Sequence, residues 1–162
     1  MIVVGEQDTQ SADGFQQLQA MLTGGLKAPM GEKLGFRLVE LERGRVAFEG
    51  QPDRTVFNPL GYVHGGYAAT LLDSACGMAV HSQLAPNRGH TTLELKISYL
   101  KGLNDRSGTV RATGKAISVG RRVAFAEATL HDEQGRLCGT ATSTLLVFDI
   151  ESGPGGLVGS TP

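Results

Sequence analysis

Two cysteines, Cys76 and Cys138, are all the sequence contains, and they share neither a CxxC spacing nor a secretory context. That excludes a disulfide framework, and both read as small buried hydrophobes in a reducing compartment. The four histidines, His64, His81, His90 and His131, are scattered and form no ligand pattern with the cysteines or carboxylates, so no metal is expected. Excess charge is also missing. Fifteen Lys and Arg against 16 Asp and Glu leave a net charge of −1, and a pI near 6.4 lacks the basic footprint that nucleic acid demands. No apolar run reaches membrane-spanning length, and the first dozen residues are polar rather than an apolar signal core. A cytoplasmic protein with no membrane partner is expected. Repeats and interdomain linkers are absent, so 162 residues make one domain, large enough to bury a core without staples.

What is present begins with a polar stretch, 1–14, read as a flexible leader in which Ile2 and Val4 pair weakly at most. Phe15, Leu18, Met21 and Leu22 recur at helical spacing before Gly24 and Gly25, which predicts a short helix. Pro29, Gly31 and Gly35 predict a connecting loop over 26–35. Around Arg43-Gly44, apolar Val39, Leu41, Val46 and Phe48 interleave with Glu40, Glu42, Arg45 and Glu49, the pattern of a hairpin with a tight turn.

The most distinctive stretch is 58–84, NPLGYVHGGYAATLLDSACGMAVHSQL. Turn residues Asn58, Pro59 and Gly61 lead through His64-Gly65-Gly66 into a run free of proline, which reads as a long helix with a glycine-lined start. Ala68, Leu71, Leu72, Ala75, Cys76, Ala79 and Val80 share one face. Thr70, Asp73, Gly77 and His81 share another. Four long strands follow, near 92–99, 108–118, 122–131 and 137–148, the last after a turn at Gly135. In the first, Leu93, Leu95, Ile97 and Tyr99 alternate with Thr92, Glu94, Lys96 and Ser98, predicting one buried and one polar face. The Gly-, Ser- and Pro-rich 149–162 reads as a flexible tail, leaving 15–148 as the domain. A sheet of long antiparallel strands coils strongly, and a single long helix must cover its apolar side. The expected architecture is α+β, a hotdog-like fold with a long central helix wrapped by a coiled antiparallel sheet.

Chemistry concentrates on that helix. Backbone N–H groups of Gly65 and Gly66 at its start are expected to be free, reinforced by the helix dipole, and open to close approach because neither residue has a Cβ. A carbonyl oxygen turning into an oxyanion suits such donors; a bound anion is the alternative. Asp73, the helix's lone acid, reads either as part of a solvated stripe or as a carboxylate in a mostly buried setting with a partner or a task. It lies about 12 Å along the axis from Gly65, at about 1.5 Å per residue. One helix therefore does not offer both groups to one carbon, whereas two antiparallel helices across a two-fold axis do. His64 reads as orienting the loop, bonding to substrate or simply satisfying a turn carbonyl, and Asn58 is either an Asx-turn residue or an amide donor to the same carbonyl. Tyr99, Lys101, Arg121 and Arg122 lie near strand ends. His81 and Cys76 read as structural.

Taken together, Asn58, His64-Gly65-Gly66 and Asp73, with TTLELKISYLKGL and GRRVAFAEATLHDEQGRLCGTATSTLLVF after the helix, resemble the hotdog-fold acyl-CoA thioesterases of the PaaI-like kind over about residues 35–148. The resemblance implies hydrolysis of an acyl-CoA thioester to free acid and coenzyme A, with CoA part of the substrate and no separate cofactor. It makes the Gly65 amide the donor that polarises the thioester carbonyl, Asn58 a side-chain partner, and Asp73 of the neighbouring subunit the nucleophile or general base. It also implies a homodimer as the minimal unit, assembled into a homotetramer, with coenzyme A along the subunit interface. Gly66, Tyr99, Lys101, Arg121 and Arg122 become substrate-binding candidates, the basic ones toward the CoA phosphates. Some relatives carry Glu in place of Asp73 and a hydroxyl residue one turn later, where this chain has Gly77. Two other readings compete: a non-catalytic acyl-CoA sensor, and a hydratase or dehydratase, whose GHFP-type loop this chain lacks.

Overall fold

The structure, a computed structural model, describes residues 12–24 and 28–150. Three α-helices, α1 (Gly14–Leu22), α2 (Pro29–Leu34) and α3 (Gly65–His81), and a single 3-10 turn (Arg54–Val56) accompany six strands among the described residues: β1 (Phe36–Glu42), β2 (Arg45–Gly50), β3 (Arg88–Tyr99), β4 (Val110–Val119), β5 (Val123–His131) and β6 (Leu137–Asp149). The strands form one antiparallel sheet in the order β1-β2-β4-β5-β6-β3. This is the expected hotdog arrangement, a single sheet curled around α3.

Small residues make the curl possible. Ala112, Ala124, Ala126, Ala128 and Ala141 line the inner face of the sheet, all buried, and let the helix settle close. At Gly114 of β4 a Cβ would sit 2.1 Å from the Ala75 carbonyl oxygen of α3, so the two backbones meet where only glycine fits. The predicted apolar face of α3 is the core: Leu71, Leu72, Ala75, Cys76, Ala79 and Val80 are fully buried, the leucines contributing about 2 to 3 kcal/mol each. At Arg43-Gly44 the hairpin turns on Gly44, at φ 81°.

Two expectations change. The stretch 26–35 was expected to be a loop, but α2 occupies Pro29–Leu34. Its breakers sit at the ends: Pro29 in the first turn, where an N–H is dispensable, and Gly35 in the left-handed conformation that closes a helix. In β3 the strict alternation fails at Leu93, which is 59% exposed. A register shift between Thr92 and Glu94 inserts an extra residue, so Leu95 and Ile97 pack on the core while Leu93 turns outward and Thr92 turns toward α3. The expected leader 1–14 and tail 149–162 fall mostly outside the described residues, as does the pairing of Ile2 and Val4. Asp13 does cap α1 with a reciprocal bond to Gln16. No helix among the described residues is long and apolar enough to cross a membrane.

Where α3 ends, His81 and His90 stack with ring centroids 5.4 Å apart. His81 Nε2 meets Gln17 Oε1 of α1 at 2.9 Å, and the Nδ1 atoms of both rings are buried without a partner. Burial, with His90 adding, pushes His81 down to about 4; burial lowers His90 as well. The unfolded chain takes up protons below about pH 6.5 while the folded rings resist. Folding stability is therefore present above pH 6.5 and declines as pH falls toward 4, by on the order of 2 to 3 kcal/mol for His81 alone. Urea titrations between pH 7 and 4.5 are expected to show this decline, and His81→Asn to flatten it.

Candidate active site

The entrance to α3 is built by a closed loop. Phe57 bridges Val63, the Val63 amide donates to the Leu103 carbonyl (2.9 Å) and the His64 amide to Val56 (2.8 Å). At the neck, Asn58 Oδ1 accepts from the amides of Leu60 (3.0 Å) and Tyr62 (3.2 Å), the Asx-turn geometry its residue type favours. Its Nδ2 has no partner among the described residues. His64 is the N-cap, in extended conformation, and its Nδ1 accepts from the Gly66 amide at 2.8 Å. Both glycine amides were expected to be free; Gly66 is taken by its own cap. The Gly65 amide has no acceptor among the described residues, while the Tyr67 amide donates to the His64 carbonyl at 2.9 Å.

Gly65 lines a cleft of about 280 Å³ together with Asn58, Tyr62, Tyr99, Lys101 and Leu103, among others. Tyr99, at the end of β3, donates its phenol to the Gly65 carbonyl at 2.8 Å. Four of the residues expected at the site, Asn58, Gly65, Tyr99 and Lys101, thus converge on one space, while His64 and Gly66 flank Gly65 in the chain without lining it. Arg121 and Arg122 are elsewhere. They occupy the β4–β5 turn beside Arg88, whose guanidinium donates to the Arg121 carbonyl. That is the opposite end of β3 from Tyr99, about 36 Å away at about 3.3 Å per residue. A wider groove of about 350 Å³ on the outer face of the sheet, lined by Arg45, Lys96, Lys115 and a row of threonines, contains none of the expected site residues.

Asp73 lies two turns down α3, half-buried, where its Oδ1 accepts from the Thr92 hydroxyl at 2.9 Å. Sequence patterning put Thr92 on a polar face; the bulge in β3 delivers it to the helix instead, and no sequence signal marked the bulge. Thr92 supplies a hydroxyl beside the acid where Gly77, packed under the His90 ring, has none. The other Asp73 oxygen has no partner among the described residues. Nearby Cys76 is fully buried. Burial first, then the charges of Asp73 and Glu127, push its thiol up to about 12, which removes it as a nucleophile. No group of three His, Cys, Asp or Glu among the described residues is placed to hold a metal ion.

Residues 60–139 match the family model described as the thioesterase superfamily, a span that includes Gly65, Asp73, Tyr99 and Lys101. The chain is 27% identical over 116 residues to the 1,4-dihydroxy-2-naphthoyl-CoA hydrolase of Listeria monocytogenes, covering 72% of this chain and 93% of that protein. A thioesterase family protein from Silicibacter pomeroyi superposes with a TM-score of 0.75 at 27% identity, over 84% of this chain and 98% of its own. A Streptococcus mutans protein bound to acetyl CoA does so with a TM-score of 0.64 at 27% identity, over 72% and 90%.

Burial of both cysteines makes a reactivity prediction. In the native protein, neither Cys76 nor Cys138 is expected to react with a thiol reagent such as DTNB within minutes, and both are expected to react at once in denaturant. Rapid native labelling of Cys76 would contradict the environment described for it.

Proposed function

Because the chain belongs to the thioesterase superfamily and is a thioester hydrolase, we propose that it cleaves an aryl or medium-chain acyl-CoA thioester to the free acid and coenzyme A, as a PaaI-like member. The observation that carries this reading is the unshared Gly65 amide at the head of α3, opening on a cleft beside the Asn58 side-chain amide. Two donors there suit the oxygen of a thioester carbonyl. They gain strength as that oxygen becomes negative in the tetrahedral intermediate, by about 3 to 4 kcal/mol for one such donor. The helix dipole adds to them.

Attack comes from Asp73 of the partner subunit. With Oδ1 held by Thr92, the other oxygen is available to take a proton from water as it adds to the carbonyl carbon; direct attack by the carboxylate would use that same oxygen. Collapse of the intermediate breaks the C–S bond, and the thiolate of coenzyme A departs and is protonated. No group beyond the substrate's own CoA is needed.

Pairing of two subunits has a natural place. β3 is an outermost strand of the sheet, and antiparallel pairing of two copies of β3 sets the two α3 helices antiparallel. The Gly65 end of one then approaches the Asp73 turn of the other. The same pairing carries Arg121 and Arg122 of one subunit toward the Tyr99 and Lys101 end of its partner, where the CoA phosphates would lie. Two such dimers make the proposed tetramer. The likeness to a CoA-ester hydrolase and to a protein bound to acetyl CoA supports CoA as the carrier.

Asp73→Ala in the folded, assembled protein, assayed on benzoyl-CoA, phenylacetyl-CoA and octanoyl-CoA, is expected to lower kcat by about 10²- to 10⁴-fold with KM little changed. Full turnover in the variant would remove Asp73 from the chemistry. Tight binding with no product from the unmodified protein would favour a sensor over an enzyme.

A further inference from the structure

The two glycines at the head of α3 share one peptide unit, and each pole of that unit is gripped by a different side chain. Its carbonyl, that of Gly65, accepts the Tyr99 phenol at 2.8 Å. Its N–H, that of Gly66, donates to His64 Nδ1 at 2.8 Å. Rotation of this peptide plane would break both bonds together. A Gly-Gly peptide has the widest conformational freedom the backbone offers, and here it follows directly on the Gly65 amide, which has no acceptor among the described residues.

We propose that His64 and Tyr99 form a clamp on the Gly65–Gly66 peptide that restrains the Gly65 torsions and through them the preceding His64–Gly65 peptide, whose N–H is that of Gly65, making both of them positioning residues for thioester hydrolysis rather than groups that meet the substrate. The proposal rests on the oxyanion role given above to Gly65. The clamp explains both glycines. A Cβ at Gly65 would press on the Tyr99 ring at 3.3 Å, and a Cβ at Gly66 would come within 2.9 Å of His64 Nδ1. The first glycine makes room for the phenol and the second for the imidazole. Each anchor is itself held: Tyr99 by its pairing with Gly139 of β6, and the backbone of His64 by its bond to Val56. One pole is thus tied to the sheet and the other to the entrance loop.

The role of His64 follows from its chemistry. Nδ1 accepts a hydrogen bond, so its lone pair is committed to the Gly66 amide and is not free to take a proton from water. An asparagine or aspartate oxygen does the same task at an N-cap, so the clamp asks for an acceptor at this position, whereas a proton-transfer role asks for an imidazole.

Four variants and two readouts decide it. Tyr99→Phe and His64→Ala are each expected to lower kcat by about 10- to 100-fold, the scale of a misaligned reacting geometry. The factor should be similar for benzoyl-CoA and octanoyl-CoA, with KM within about threefold. His64→Asn should recover most of what His64→Ala loses, and His64→Gln, whose longer side chain misses the cap geometry, should not. By NMR hydrogen exchange, the Gly66 amide is expected to be protected in the unmodified protein and to lose protection in Tyr99→Phe and His64→Ala, while the Gly65 amide exchanges freely throughout. The clamp is overturned if Tyr99→Phe raises KM at unchanged kcat, if its effect depends on the acyl group, if His64→Asn is as impaired as His64→Ala, or if the Gly66 amide is unprotected in the unmodified protein. Should the unmodified protein hydrolyse none of the esters, the oxyanion reading fails, and the exchange data alone decide the clamp.

Discussion

A helix advances about 1.5 Å per residue, and that constraint organises this molecule. Gly65 and Asp73 sit on one rigid rod whose side is pressed against the sheet at Gly114 and whose buried face is sealed by Leu71, Leu72, Cys76 and Val80. Neither group can slide toward the other. The amide at the head of the rod opens on a cleft; the acid two turns on is tied to a different part of β3. A reaction that needs both must bring a second rod alongside.

Around the amide, three polar groups are already paired. The Gly66 N–H goes to His64, the Gly65 carbonyl to Tyr99, and the Asn58 carbonyl oxygen of the side chain to its own turn. Such pairing leaves the Gly65 N–H and the Asn58 Nδ2 as donors without an acceptor among the described residues, the fixed arrangement that the proposed oxyanion role asks for. The thiol nearest the acid is buried and pushed up to about 12, which removes it as a competing nucleophile. Thr92 donates to one oxygen of the Asp73 side chain, and the other has no partner among the described residues.

Much of this was legible in the residues. The apolar rhythm of 68–80 marked the buried face of α3, and the hairpin around Arg43-Gly44 followed from alternation about a turn glycine; of the four long strands only the first alternates strictly, and the others followed from their length and the turns between them. HGG with an acid nine residues after its His located the helix head and the acid. What periodicity does not register is a single inserted residue: the bulge at Thr92–Glu94 turned Leu93 out and Thr92 in, and with it came the hydroxyl beside Asp73. Likewise Pro29 and Gly35 read as loop residues, because breakers at the two ends of a six-residue helix look the same as breakers inside a loop. Which glycine amide stays free depends on where an imidazole points, and Arg121 and Arg122 could be placed far from Lys101 only once the strands were in register.

The account turns on two groups from two subunits meeting at one bond, and a mixed dimer tests that directly. Gly65→Pro removes the amide hydrogen at a first-turn position where proline is tolerated, and Asp73→Ala removes the acid. Each variant alone should form inactive homodimers. A differently tagged heterodimer of the two, purified and assayed on the preferred acyl-CoA, should regain one intact site and about half the turnover of the unmodified dimer. Activity no greater than that of either parent homodimer would contradict the account, because it would place amide and acid in the service of the same subunit.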